Sequence, residues 1–424
     1  MRKEMEGFKT LTSVDKALQI LRGILEKLEE KDVVDVPLTE SLGRICGENI
    51  YARFDIPSFD RSAVDGYALI AEDTFSASPS NPIQFKIVGS LMPGDEVGKL
   101  EINRGEAVEV MTGAPLPLNA NAVVMAEDAK EVEPGLLEVY KQVHPFQNIS
   151  RRGEDFQAGK LVVRKGTKIK PWHIGALASF NITHVKVFSK PKIGILSTGS
   201  ELVELGSELK ISKIVNSTKA LIKALVYSCG GEPVDLGIVE DEMKLILEKI
   251  KNGLKICDAL ITTGGTSIGK RDLVPAAVSR LGEVLVHGIA MRPGKPTGFG
   301  LVEGKPVFML SGFPVAALIG FNLFVKPTIN VLQRTVDEPA PKIIGRLTRR
   351  VASLTGMRSY LRVKVSKHED VYLVEPLRLT GSGLISTLTE ANGILVIPEN
   401  MEGYEEGDEV EVELFDPVAE SLMA

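Results

Sequence analysis

The chain has little with which to build a disulfide framework or a zinc centre. Of 424 residues only three are cysteine, Cys46, Cys229 and Cys257. They are scattered among apolar neighbours with no metal-like spacing, which predicts buried free thiols in a reducing compartment. The five histidines are equally dispersed, so a zinc site is not expected. An excess of positive charge is also missing. The formal net charge is −6, which argues against nucleic acid as a partner and requires any anionic ligand to find a local positive site. No uninterrupted apolar run reaches the roughly 18 residues of a membrane span. The opening MRKEMEGFKT lacks the apolar centre of a signal peptide. A cytoplasmic protein without a membrane partner is the expectation.

What is present is a folded composition, 44% apolar and 25% charged, in a chain long enough for two to four domains. From Ser13 to Lys31 apolar residues recur at 17, 20, 21, 24, 25 and 28, which predicts an amphipathic helix with Ser13 as its N-cap. From about Asp32 to Val187 the texture is β-rich. Short β-branched runs (Val33–Val36, Ile83–Val88, Ala107–Met111, Ala122–Met125, Leu137–Val143) are separated by Gly, Pro, Asn and Asp. So long a region predicts two modules, the middle one inserted between a beginning and a stretch after His144 that belong together.

Next comes an alternation of strand and helix. Strands are predicted at Lys192–Ser197, Val234–Val239, Ala259–Thr263, Val284–His287 and Val307–Leu310. Between and after them lie helices from Ser217 (as cap) to Ser228, Asp241–Lys251 with Leu245, Ile246 and Ile250 on one face, Leu273–Leu281, and Pro314 to Leu332. This pattern predicts an α/β, doubly wound parallel sheet. Beyond the proline-marked linker Glu338–Pro341, the runs Lys342–Leu347, Tyr360–Val365, Val371–Pro376, Gly393–Ile397 and Glu409–Leu414 predict a small barrel or sandwich.

In an open parallel sheet ligands bind beyond the carboxyl ends of the strands. Those ends read Thr198-Gly199-Ser200-Glu201, Glu240-Asp241 and Gly264-Gly265. The glycines allow close backbone approach, and the following helix starts offer free N–H groups to an anion. Glu201, Asp241 and Asp272 add carboxylates that could hold Mg²⁺ beside a substrate phosphate; the bland alternative is that each acid caps a helix. The stretch TTGGTSIGKRD (262–272) resembles a nucleotide P-loop through Gly264, Gly269 and Lys270. That reading fails, because Arg271 stands where the Mg²⁺-binding hydroxyl belongs, the glycine pair directly ends the strand, and no Walker-B strand accompanies it. In MRPGKP (291–296) Arg292 and Lys295 sit three apart on a rigid Pro/Gly frame. Such a frame suits a compact oxyanion better than an exposed basic turn does. PSFDRSAVDGYA (57–68), MTGAPLP (111–117) and RRGEDF (151–156) are polar stretches that, singly, read as loops.

Taken in order with STGSEL (197–202) and GSGLISTLTEANG (381–393), these motifs resemble the molybdopterin molybdotransferases, the family of the MoeA proteins and of the plant and gephyrin E-domains. The likeness runs through nearly the whole chain. It implies a homodimeric enzyme that inserts molybdate or tungstate into adenylylated molybdopterin and releases AMP with the help of Mg²⁺. The adenylyltransferase that charges the pterin is a candidate partner. The resemblance also implies five segments. Residues 1–31 form a helix packed on the α/β domain, 32–56 and 144–187 an elongated β-rich arm, and 57–143 an inserted β-rich domain. Residues 188–337 form the α/β molybdopterin-binding domain and 338–424 a C-terminal β-barrel.

Carried over by position, Glu201 and Asp272 would hold Mg²⁺ and Asp241 would share their cleft, with Asp65 and Thr112 supplied by the partner's arm. Thr198, Gly199, Ser217, Gly264, Gly265 and Pro296 would line the substrate site. Arg292, Lys295, Arg358 and Ser382 would line the oxyanion pocket. Two departures lie there: Leu310-Ser311-Gly312-Phe313-Pro314 replaces the family's usual Leu-Pro-Gly-Asn-Pro, and Arg292 replaces a usual lysine. Two other activities use related folds. Against a non-catalytic scaffold stand Asp65, Glu201, Asp272 and Lys295. Against a molybdopterin adenylyltransferase stand the β-rich arm and the C-terminal barrel.

Overall fold

The computed structural model describes residues 10–28, 32–265, 273–335, 339–377 and 381–418. They fall into two compact units. The first draws on the chain up to Asp35, on Gly43–Gly47 and on everything from Lys186 onward; the second comprises Val36–Leu42 and Glu48–Val185.

In the first unit α1 (Val14–Leu25) begins at Ser13, whose Oγ accepts a hydrogen bond from the Lys16 N–H at 3.3 Å. The strands β1 (Lys192–Thr198), β2 (Glu232–Val239), β3 (Ala259–Thr263), β4 (Glu283–His287), β5 (Gly298–Val302) and β6 (Lys305–Leu310) form one sheet in the order β2-β1-β3-β6-β5-β4. The pairings among β2, β1, β3 and β6 are parallel. Side chains alternate between two cores. Ile193, Ile195, Ala259, Ile261, Phe308 and Leu310 join the apolar face of α1, α2 (Ser217–Ser228) and the 314–332 helix. Leu196, Leu260, Val307 and Met309 join α3 (Met243–Ile256) and α4 (Leu273–Leu281) on the other face. Burial on both faces is why these strands read as unbroken apolar runs. Each fully buried Leu or Ile is worth roughly 1.5–3 kcal/mol relative to exposure.

Three local readings change. β5 is antiparallel to both neighbours and is not among the predicted strands. Its glycines hide it: a Cβ on Gly300 would lie 2.1 Å from the Glu283 carbonyl oxygen, so packing required the residue that strand propensity disfavours. The cap of α2 is Asn216, whose Oδ1 accepts from the Lys219 N–H at 3.0 Å, and Ser217 is the first helical residue. In α3 the buried face is Ile246, Ile250, Gly253 and Leu254, while Leu245 is exposed. The helix Pro314–Leu332 is long and apolar enough by composition to cross a membrane, but it is 67% buried and belongs to the core. Its middle, Phe321–Val325, is a π-turn, placed where Pro327 lacks the N–H and the room for a regular turn.

The barrel is made of β7 (Lys342–Leu347), β8 (Arg358–His368), β9 (Val371–Pro376), β10 (Gly393–Ile397) and β11 (Glu409–Leu414). It closes in the cycle β8-β9-β7-β11-β10-β8 around Leu361, Val363, Val365 and their neighbours. Residues of β8 at the alternate positions point the other way, and Tyr360 joins the core of the α/β sheet. The two-residue strand Met291–Arg292 runs parallel to the start of β8, with Arg292 opposite Ser359.

The second unit holds a six-stranded sheet in the order Ala122–Met125, Gly66–Leu69, Glu106–Val110, Ile83–Leu91, Leu136–Val139, Ala129–Glu133. It also contains a helix, Pro171–Ser179, in a region predicted to be β-rich. Pro171 opens that helix, whereas Gly175 and the nearly uniform apolar residues leave no amphipathic stripe to read. None of the three cysteines is in a disulfide; Cys46 and Cys257 are buried and Cys229 is half-buried.

Candidate functional site

The carboxyl ends of β1, β3 and β6 converge. Ser197 Oγ lies 2.9 Å from Thr263 Oγ1, and the Gly264 N–H donates to the Leu310 carbonyl at 3.3 Å. Gly264 has φ +87° and a Cβ there would sit 2.4 Å from the Thr198 carbonyl oxygen; Gly265 has φ +61° and its Cβ would meet Thr198 Oγ1 at 2.6 Å. Only glycine fits both the backbone conformation and the space. Gly312, after β6, comes within 3.5 Å of Gly264 Cα by the same measure, and its carbonyl accepts from Thr218 Oγ1 at 2.7 Å.

Above these strand ends is a cavity of about 820 Å³. Its floor is Thr198, Thr263, Gly264 and Gly265; one wall is the start of α2, another the Arg292–Pro296 turn, and a third Gly381–Gly383. Glu201 lines it, and its carboxylate oxygens lie 2.8 Å from where a Gly199 Cβ would be. Among the described residues three cations, Arg292, Lys295 and Arg362, line the same space with that one carboxylate. Net positive charge in a concave site attracts and orients an oxyanion. Two buried polar atoms of lining residues, Thr198 Oγ1 and Asn216 Nδ2, have no hydrogen-bond partner among the described residues. Each unmet partner costs about 1–3 kcal/mol, which a polar ligand would recover.

Of the residues singled out from sequence, the cavity gathers Thr198, Glu201, Ser217, Gly264, Gly265, Arg292, Lys295, Pro296 and Ser382. Gly199 is beneath Glu201. Asp241 follows β2, is exposed, and is not part of the lining. Asp272 lies outside the described residues. Arg358 is not a lining residue. Its guanidinium is held by Asp15 at 2.9 Å and by Glu399 at 2.9 and 3.0 Å. Those carboxylates push its pKa up, and Arg358 holds theirs below the usual range. Arg362, four residues along the same strand and 3% exposed, lines the cavity instead. Its Nε donates to Thr387 Oγ1 at 3.2 Å, and burial pushes its pKa down. Sequence reading overlooked Arg362 and Asn216. The period-2 spacing from Arg358 could have pointed to the first.

In the second unit Asp65 and Thr112 are brought together: Asp65 Oδ1 accepts from the Thr112 N–H and Oγ1, each at 2.7 Å. These bonds hold the Asp65 carboxyl below the usual carboxylate range. The polar stretch 57–68, which carries Asp65, is bonded to both of the others. The Gly113 N–H donates to Ser62 O at 2.8 Å, and the Arg152 N–H donates to Asp60 Oδ1 at 2.7 Å.

Among the described residues no cluster of three metal-type ligands occurs. The hard oxygens of Glu201 and Thr198 nevertheless suit Mg²⁺, which takes one or two carboxylates and completes its shell with water and substrate phosphate.

Comparison with known proteins follows the same order of segments. Residues 12–181 match the profile of the MoeA N-terminal region (domains I and II), 194–331 a probable molybdopterin-binding domain, and 345–415 the MoeA C-terminal region (domain IV). A putative molybdopterin biosynthesis protein of Methanocaldococcus jannaschii is 45% identical over 404 residues, 92% of this chain and 96% of that one. The molybdopterin molybdenumtransferase of Bacillus subtilis is 36% identical over 383 residues, 89% and 88%. A crystal structure of a molybdopterin biosynthesis MoeA protein from Pyrococcus horikoshii superposes with a TM-score of 0.82 at 35% identity, covering 96% of this chain and all of that one.

Proposed function

Because the chain belongs to the molybdopterin molybdotransferase family, enzymes of molybdenum cofactor biosynthesis, we propose that it inserts molybdate or tungstate into adenylylated molybdopterin with Mg²⁺-dependent release of AMP. The observation that carries this reading is the cavity of about 820 Å³ whose described lining residues include three cations, one carboxylate and the glycine pair that ends β3. A tetrahedral dianion needs fixed cations and hydroxyl donors rather than a nucleophile. Arg292, Lys295, Arg362 and Ser382 supply these from three different elements. Gly264 and Gly265 let the strand end approach a phosphate closely, and the start of α2 directs N–H groups towards the same space.

Glu201, with Asp272, would hold Mg²⁺, which would neutralise charge developing on the phosphoanhydride. The chain's own contribution is positioning: it sets oxyanion and dithiolene side by side in a site preorganised for negative charge. Asp65 and Thr112, locked together as a preformed pair, would be contributed by the second subunit of a dimer. The five-segment division of the chain and its cytoplasmic location belong to the same proposal.

The test is direct. Purified protein is incubated with adenylylated molybdopterin, Mg²⁺ and either oxyanion, and AMP is measured. Release that depends on oxyanion and Mg²⁺, and that is lost in Asp272→Ala, is expected. No AMP with either oxyanion, or unchanged release by Asp272→Ala, overturns the proposal or the metal role respectively.

A further inference from the structure

The cavity holds a large apolar side chain whose place an oxyanion does not explain. Phe313 lines it and is 59% exposed, although exposed aromatic area is unfavourable in water. It is the one aromatic residue among the described lining residues, and it stands where the family commonly has asparagine. Its position is well fixed. Phe313 is the N-cap of the helix Pro314–Gly320, its N–H donates to Ser311 Oγ at 3.2 Å, and its carbonyl accepts from the Ala317 N–H at 2.9 Å. The ring edge rests against Gly383, where a Cβ would lie 3.1 Å from Cδ1. A side chain at 383 would require the ring to give by a few tenths of an ångström.

The second observation is Asn216. Its Oδ1 is committed to the Lys219 N–H as the cap of α2, so the orientation of the amide is set. The other end of the amide, Nδ2, is then a buried donor without a partner on a residue 5% exposed. The two stretches are side by side, because Thr218 Oγ1 bonds the Gly312 carbonyl at 2.7 Å. Exposed ring and unmet donor complement a flat heterocycle, which offers a π-face to one and a ring nitrogen or carbonyl to the other.

We propose that Phe313 and Asn216 form a recognition subsite for the planar heteroaromatic ring of the substrate, stacked on Phe313 and accepting a hydrogen bond from Asn216 Nδ2. The proposal rests on the substrate reading above, in which two such rings occur, a purine and a pterin. Phe313 is thereby a specificity-determining residue of this chain, separate from the cations that hold the oxyanion.

The experiment measures binding of AMP, of pterin and of molybdate, each alone, to the full-length protein by calorimetry. Ring-proton shifts of the bound heterocycle are followed by NMR. The variants are Phe313→Leu, Phe313→Tyr and Asn216→Ser, which keeps a capping oxygen. Thermal melting confirms that each folds. For one of the two heterocycles, Phe313→Leu is expected to weaken binding about tenfold and to abolish the upfield shift that stacking produces. Phe313→Tyr retains both, Asn216→Ser weakens the same probe, and molybdate binding changes by less than about twofold throughout. Which heterocycle responds identifies the ring. Equal binding of both heterocycles by wild type and Phe313→Leu overturns the proposal, as does an equal loss of molybdate. Phe313-dependent binding without AMP release would instead sink the molybdotransferase reading and leave the subsite standing.

Discussion

Arg358 donates two parallel hydrogen bonds to Asp15, Nη1 to Oδ1 and Nη2 to Oδ2, both 2.9 Å, and so joins the first turn of α1 to the first residue of β8. Its backbone N–H also donates to the Ala290 carbonyl at 2.9 Å, next to the strand that carries Arg292. Arg358 therefore spends its charge on holding the frame, whereas Arg362 lines the cavity.

The two arginines should separate in mutagenesis. Arg362→Met is expected to lower turnover by roughly 10²–10³-fold, the loss typical of a preorganised charge at a site of developing charge. Arg358→Met should leave turnover within about tenfold and lower the melting temperature instead, since its partners are partly exposed and such pairs contribute about 1 kcal/mol or less each. Equal turnover losses in steady-state assays would refute the division of labour.

The same triad sets an acid limit on stability. Asp15 and Glu399 have native pKa values lowered from 3.8 and 4.5, the hydrogen bonds from Arg358 being the largest cause. Carboxylates with depressed pKa values bind fewer protons folded than unfolded. Their stabilisation is therefore complete above those ordinary values and is lost as pH falls below them. Melting temperature should fall below about pH 4.5, and Asp15→Asn with Glu399→Gln should flatten that decline while lowering the plateau. An unchanged acid slope in the double variant would count against it.

The glycine pair offers a graded steric test. Alanine at 264 would meet a backbone carbonyl oxygen at 2.4 Å, whereas alanine at 265 meets a hydroxyl at 2.6 Å, and both residues have positive φ. Gly264→Ala should cost about 2–4 kcal/mol and Gly265→Ala about 1–2 kcal/mol in denaturant unfolding. The reverse order would show that Thr198 cannot move aside.

Thr198→Val removes a buried hydroxyl with no partner among the described residues and keeps the shape. Stability should hold or rise by up to about 1 kcal/mol, while affinity for the substrate phosphate falls several-fold. A clear loss of stability would mean that the hydroxyl is already bonded within the protein.

The local code was readable where one physical signal dominated. Ser13 caps α1 as its hydroxyl required, the buried runs at 192–198, 259–263 and 305–310 became strands, and the order of motifs carried the family. Signals cancelled at Gly298–Val302, where close packing demanded glycine, and at Pro171–Ser179, where no apolar stripe exists. What sequence by itself settled was which residues stand at strand ends, because periodicity and glycine act over a few neighbours. Tertiary structure alone decided which arginine serves the cavity and which the frame. Arg358 and Arg362 are chemically alike and two pleats apart, and it is Asp15, 343 positions away, together with Glu399, that holds Arg358 in the frame.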